Sequence, residues 1–184
     1  MITSGLIGFS YSPGWLQRCI RFFPNSKWSH AFVTIDVAGS TSVMEAGQFQ
    51  VQVVPYHTHY KGVEHELYQI KQVTAWDKDD EADERLALLT TFYALAGDRY
   101  GYLQCLWFVW RWLNDKLGRD ISQQKNWFTR GVICDEVVYY YLWNLSDAMH
   151  PLLSKFSPDT IQSEDLYQIV KSNPQMFEKV NIDV

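Results

Sequence analysis

Three residues far apart in the chain carry complementary chemistry: His30, Glu45 and Cys134. His30 follows a Trp-Ser step and opens the apolar run Ser29-His30-Ala31-Phe32-Val33-Thr34-Ile35, and Glu45 closes the next run, Ser42-Val43-Met44-Glu45-Ala46-Gly47. Cys134 comes shortly after Gly131, at the head of the amphipathic stretch Cys134-Asp135-Glu136-Val137-Val138-Tyr139-Tyr140-Tyr141-Leu142. A thiol at a helix start, an imidazole on a strand and a carboxylate beside it are the parts of a cysteine nucleophile with its base and orienter. The carboxylate would hold one imidazole nitrogen and leave the other to take the thiol proton.

The elements that must bring these groups together follow from pattern. Leu6-Ile7-Gly8-Phe9 reads as a first strand, ended by Ser10-Tyr11-Ser12-Pro13-Gly14. Trp15, Leu16, Cys19, Ile20 and Phe23 then recur at helical spacing. Trp28–Val37 and Thr41–Ala46 read as two strands joined by a turn at Ala38-Gly39-Ser40. A turn centred on Val37-Ala38 would set His30 directly opposite Glu45, and one centred on Ala38-Gly39 would set them diagonally. Both put them on one face within side-chain reach.

Phe49–Val53 alternates apolar and polar as a third strand of this region, Pro55–Lys61 reads as a loop, and Val63–Ile70 as a further strand. Helical patterns follow: one from Asp79 to Gly97, one over Tyr102–Leu117, one over Cys134–Leu145, and a last starting at Ser157-Pro158-Asp159. The class is α+β in a single domain over residues 1–184, an antiparallel sheet packed against helices. Cys134, Val138, Tyr141 and Leu145 share the apolar face of their helix, so the thiol faces the sheet. Helix rotation is expected to turn Asp135 and Glu136 away from it.

Composition narrows the partners. Hydrophobic residues make up 47% of the 184-residue chain, which marks it as folded. A net charge of −5 lacks the basic footprint of a nucleic-acid binder. Three cysteines, Cys19, Cys105 and Cys134, make a poor disulfide framework and have no metal-ligand spacing. The amino terminus lacks the basic and apolar regions of a signal peptide, so a reducing, cytoplasmic setting is expected. Tyr102–Leu113 is too short for a membrane span, although peripheral membrane contact fits its apolar character. His57, His59 and His65 are the other constellation, but their segment has no matching cysteine or carboxylate. No metal and no cofactor are therefore expected.

The pieces Gly14-Trp15-Leu16-Gln17-Arg18-Cys19-Ile20-Arg21-Phe22-Phe23, Trp28-Ser29-His30-Ala31-Phe32-Val33, Val43-Met44-Glu45-Ala46, Cys134-Asp135-Glu136-Val137-Val138 and Phe156-Ser157-Pro158-Asp159 together resemble the circularly permuted branch of the NlpC/P60 papain-like superfamily. Its relatives include the YiiX/YaeF-like hydrolases and, more distantly, the lecithin:retinol acyltransferase-like proteins. The order His30 before Cys134 is the one the permutation requires.

The resemblance implies a papain-like core with Cys134 as nucleophile, His30 as general base and Glu45 as orienter. It further implies amide or ester cleavage, or acyl transfer, through a thioester. Substrates would be a lipid-linked acyl group, a small amide or a cell-wall peptide, with Tyr11 and Trp28 as candidate substrate contacts. The alternative is a non-catalytic ligand- or lipid-binding protein on the same scaffold. Two departures stand out: relatives often carry Gly-Asp in the opening strand, here Gly5-Leu6 and Gly8-Phe9, and commonly Ser after the nucleophile, here Asp135.

Overall fold

The computed structural model describes residues 4–11, 26–47, 49–71, 80–119 and 131–181. Six strands, β1 (Ile7–Ser10), β2 (His30–Val37), β3 (Ser40–Ala46), β4 (Val51–Pro55), β5 (His65–Ile70) and β6 (Phe177–Val180), form one antiparallel sheet in the order β4-β3-β2-β1-β5-β6. Helices α1 (Tyr56–His59), α2 (Asp80–Leu95), α3 (Gln104–Lys116), α4 (Cys134–Leu145), α5 (His150–Leu153) and α6 (Ser163–Ser172) complete the described elements, with one 3-10 turn at Asp147–Met149. The architecture is the expected α+β one. The expected helix over Trp15–Phe23 lies outside the described residues.

Both faces of the sheet are covered, which explains why β1 and β2 read as nearly continuous apolar runs. On one face Ile7, Phe9, Ala31, Val33 and Met44 pack with Val137, Val138, Tyr141 and Leu142 of α4. On the reverse face Leu6, Phe32, Val43 and Leu67 pack with Tyr56 of α1 and Tyr60 just after it. Gly8 belongs to this second layer: a Cβ there would lie 2.1 Å from the Phe32 ring, so only glycine admits it. The Phe32 ring in turn lies 4.3 Å from that of Tyr60, centroid to centroid.

The β2–β3 hairpin closes through Ala38 and Gly39, with Val37 paired to Ser40. Both turn residues are left-handed, φ 54° and 80°, the twist that matches a two-residue hairpin. Asp36 Oδ1 accepts from the Gly39 N–H at 2.9 Å and holds the turn. Val33 pairs with Met44, so the next step along the ladder sets Glu45 opposite Phe32 and diagonal to His30. The two side chains share the Phe32 face.

Helix α4 has the expected bounds, and Cys134, Val138, Tyr141 and Leu145 are all buried on one side of it. The Tyr141 hydroxyl donates to Gly5 O at 3.2 Å, which anchors this part of the helix at the start of β1. The start of the helix lies near the His30 end of the sheet: Asp135, next to Cys134, feels the His30 charge, and Tyr60, within hydrogen-bond reach of Ser10, feels Cys134.

Other elements depart from expectation. The third strand of this region runs over Val51–Pro55, two residues later than Phe49–Val53; Phe49 is exposed and Gln50 bridges to Arg99. The expected loop over Pro55–Lys61 contains the turn of helix α1. The last helix starts at Ser163, not near Ser157, because Ser157 O accepts from the Thr160 and Ile161 N–H groups and closes a separate turn. The helix is begun instead by a capping box between Gln162 and Asp165.

Candidate active site

His30 opens β2 where the sheet meets solvent, and its side chain is 17% exposed. Its Nε2 lies 2.8 Å from Glu45 Oε2, which fixes the ring and leaves Nδ1 as the nitrogen available for chemistry. The expected side-chain contact between His30 and Glu45 is thus present, in the diagonal form.

Glu45 is almost wholly buried and sits at the centre of a ring of donors. The Tyr60 hydroxyl donates to Oε2 at 2.6 Å and Gln52 Nε2 to Oε1 at 3.1 Å. His59 Nε2 lies 3.2 Å from Oε1. Burial alone would raise the carboxyl's pKa, but the charge and hydrogen bond of His30, with the bonds from His59 and Tyr60, outweigh it and hold Glu45 well below the usual carboxylate range. Its folded pKa is depressed, so its contribution to stability is present above about pH 4.5 and is lost as the pH falls. The same contact, set against partial burial, raises the His59 pKa.

Gln52 was legible in principle: it is the polar member of an alternating strand and pairs directly with Glu45. Tyr60 and His59 were not, because a one-turn helix has no periodic signature. Tyr60 joins the site to the thiol. Burial, then the Glu45 charge, push its phenol well above the ordinary tyrosine value; Ser10 offers it a hydrogen bond, and a Cys134 thiolate would raise it further.

Cys134 is 3% exposed at the first position of α4. Its helix is begun by Ile133, whose side chain makes no capping bond. The expectation that Asp135 turns away from the thiol does not hold. Cys134 Sγ donates to Asp135 Oδ1 at 3.6 Å, and the Ser163 hydroxyl donates to the same oxygen. The reason is burial: α6 covers this flank of α4, so Asp135 cannot reach solvent and uses the nearest donors. Desolvation lifts its pKa from 3.8 to about 6, although Ser163, the His30 charge and Cys134 pull it down. Glu136 is buried as well, and desolvation lifts it from 4.5 to about 8.

The remaining expected positions have other surroundings. Trp28, expected to contact substrate, has no exposed surface: it is wedged in the core, edge-on to Tyr167 at 5.9 Å, with the Lys27 ammonium 4.1 Å from its ring centroid. Tyr11 is half-buried against the main core and its N–H donates to Glu64 O. His57 and His59 lie on α1, His59 against Glu45, while both nitrogens of His65 are in contact with Val63 O and the Tyr56 hydroxyl. Among the described residues no group of three or more His, Cys, Asp or Glu side chains is arranged to hold a metal ion. Among them, too, no helix is long and apolar enough to cross a membrane.

No family model matches the sequence, and no curated protein matches it. A solved structure does: the metalloprotein YiiX from Escherichia coli O157:H7 (DUF1105), with a TM-score of 0.54 over 98% of this chain and 97% of that one, at 16% sequence identity. At that identity the likeness is one of fold, and it extends over the full length of both chains: the protein shares the fold of YiiX.

Proposed function

We propose that this protein is a cysteine-dependent hydrolase or acyltransferase acting on an amide or ester, with Cys134 as nucleophile, His30 as general base and Glu45 as its orienter on a permuted papain-like core. The observation that carries the proposal is the His30 Nε2–Glu45 Oε2 contact of 2.8 Å, with Asp135, the neighbour of Cys134, within reach of the His30 charge and Tyr60, which donates to Glu45, within reach of Cys134. The donors around Glu45 keep it ionised beside His30, which is what a base-orienting role requires.

In this reading His30 Nδ1 takes the thiol proton and Cys134 Sγ attacks the carbonyl carbon. Backbone N–H groups in the first turn of α4 receive the developing oxyanion, helped by the positive end of the helix dipole. His30 then returns the proton to the departing amine or alkoxide, leaving a thioester. Water, or a second nucleophile, attacks the thioester with His30 again as base. The carboxylic acid or the transferred acyl product leaves, and the thiol is restored.

The YiiX-like fold supports the family that the sequence resembles. A second reading has its own observation: Cys134 is buried and its thiol proton is directed at Asp135. That arrangement favours a resting thiol, as in a binding protein built on the same scaffold.

Intact mass spectrometry after exposure to short- and long-chain p-nitrophenyl esters separates the two. The catalytic reading requires an acyl adduct on Cys134 that turns over, and its loss in Cys134→Ser and His30→Ala. Absence of any adduct at this residue with every chain length supports the binding reading.

A further inference from the structure

Two imidazoles converge on one carboxylate. His30 Nε2 lies 2.8 Å from Glu45 Oε2 and His59 Nε2 lies 3.2 Å from Glu45 Oε1, so each oxygen has its own histidine. Glu45 also accepts from the Tyr60 hydroxyl and from Gln52 Nε2, both uncharged donors. One negative charge thus serves a site that can gather two positive ones.

The two histidines differ in exposure. His30 belongs to the sheet and its side chain is 17% exposed, whereas His59 ends the single turn of α1 and is 47% exposed. A His59 imidazolium keeps water on one side, while a His30 imidazolium gives up most of its hydration, and burial penalises the charged form. Glu45 can compensate one imidazolium. A second ring protonating there meets a carboxylate already paired, and the like charge of the first ring as well.

We propose that His59 is a positioning residue that competes with His30 for the charge of Glu45, so that a proton on His59 keeps the His30 imidazole neutral and able to act as base. This role rests on the hydrolase or acyltransferase reading; the coupling between the two rings does not. When the thioester is resolved, His30 has to accept a proton from water or a second nucleophile, which only the neutral ring can do. Without a charge on His59, Glu45 holds a proton on His30 to higher pH. The hydrogen bond to Glu45, set against burial, raises the His59 pKa, in keeping with its taking up a proton in mildly acid solution.

The groups around the two rings are few. On the α1 turn His57 packs against Tyr56, and Tyr60, just after it, stands edge-on to His59 at 5.2 Å. Burial and the Glu45 charge push the Tyr60 phenol well above the ordinary value, so it keeps its proton throughout. His65 of β5 lies against the Tyr60 ring at 5.8 Å, with both nitrogens in contact with Val63 O and the Tyr56 hydroxyl. The exposed Lys61 follows two residues after His59. On the α4 side Asp135 also favours a charged His30, but its own pKa is raised to about 6, so this pull fades as the pH falls.

Histidine-ring NMR of the isotope-labelled full chain, titrated across pH, tests the proposal. His59→Gln keeps an N–H donor for Glu45 Oε1 and removes only the charge. The His30 midpoint should rise by about 0.5 to 1 unit in this variant, the size expected of a like charge across a carboxylate with one side in water. In the wild type His59 should titrate at the higher pH of the two. In p-nitrophenyl ester turnover the shortfall of His59→Gln against the wild type should grow toward acid pH, to about three- to tenfold. An unmoved or lowered His30 midpoint, or a wild type in which His30 takes its proton first, would overturn the proposal; with turnover present, the hydrolase reading would still stand. A shortfall that is constant with pH marks a merely structural contribution and overturns it too. A raised midpoint in a protein without turnover would remove the hydrolase reading and the base-sparing role with it, leaving the coupling.

Discussion

Asp135 is the residue most able to oppose an activated thiol, and Asp135→Asn isolates its effect. Its carboxyl accepts from Cys134 Sγ at 3.6 Å and, with a pKa raised to about 6, is about nine-tenths ionised at pH 7. A thiolate at that separation meets a like charge worth roughly 4 to 5 kcal/mol at an effective permittivity near 20. The amide oxygen is also a weaker acceptor than the carboxylate, so the S–H is favoured less, which works in the same direction. The Asp135 charge also favours protonated His30, which lowers the thiol pKa, but direct contact with the sulfur outweighs that longer-range influence. Asparagine preserves size and can still accept from Ser163. The Cys134 pKa should therefore fall by about one to three units. The assay is thiolate ultraviolet absorbance against pH, corrected with Cys134→Ser.

Stability gives the same substitution an independent readout. The rise of Asp135 from 3.8 to about 6 means that folding disfavours its ionised form by about 3 kcal/mol. A folded pKa above the unfolded one gives a contribution that is fully present below about pH 4 and lost as the pH passes 6. Asp135→Asn should accordingly be the more stable protein near pH 8, by up to about 3 kcal/mol in urea unfolding, with the advantage shrinking toward pH 4. A thiol titration that stays put or moves upward in the variant would refute the electrostatic reasoning.

Three further perturbations bear on the support of the site. Glu45→Gln, which leaves His30, His59 and Tyr60 without their shared carboxylate, should lower ester turnover by about 10²–10⁴-fold while thermal unfolding still shows a cooperative fold. Gly8→Ala should cost about 1–3 kcal/mol in chemical unfolding, because its methyl drives Phe32 toward Tyr60, and ester turnover should fall with it. Ala38→Asn should raise stability by about 1 kcal/mol, since asparagine tolerates the left-handed backbone that Ala38 adopts at φ 54°; thermal denaturation reads the gain.

The parts of this molecule that were legible in sequence are those governed by local pattern. The alternation and turn residues around Ala38-Gly39 placed His30 and Glu45 on one face, and the hairpin register chose the diagonal arrangement from the two open to it. The apolar stripe Cys134-Val138-Tyr141-Leu145 set the bounds and the buried side of α4. What escaped depends on long-range packing. Asp135 is held beside the thiol by the approach of α6, whose start at Ser163 rests on a Gln162–Asp165 capping box that the stronger-looking Ser157-Pro158-Asp159 signal obscured. Tyr60 and His59 reach Glu45 because a single helical turn folds back over the sheet, and no periodicity announces that. Trp28, next to a candidate base, is aromatic for the core and not for a substrate surface.

The central claim is that His30, held by Glu45, activates Cys134. Iodoacetamide alkylation across pH, read at Cys134 by mass spectrometry in the wild type and His30→Ala, tests it most directly. Cys134 is expected to react below pH 7 in the wild type and to lose this reactivity in the variant. Cys134 labelling no faster than Cys19 and Cys105, and indifferent to the loss of His30, would contradict it.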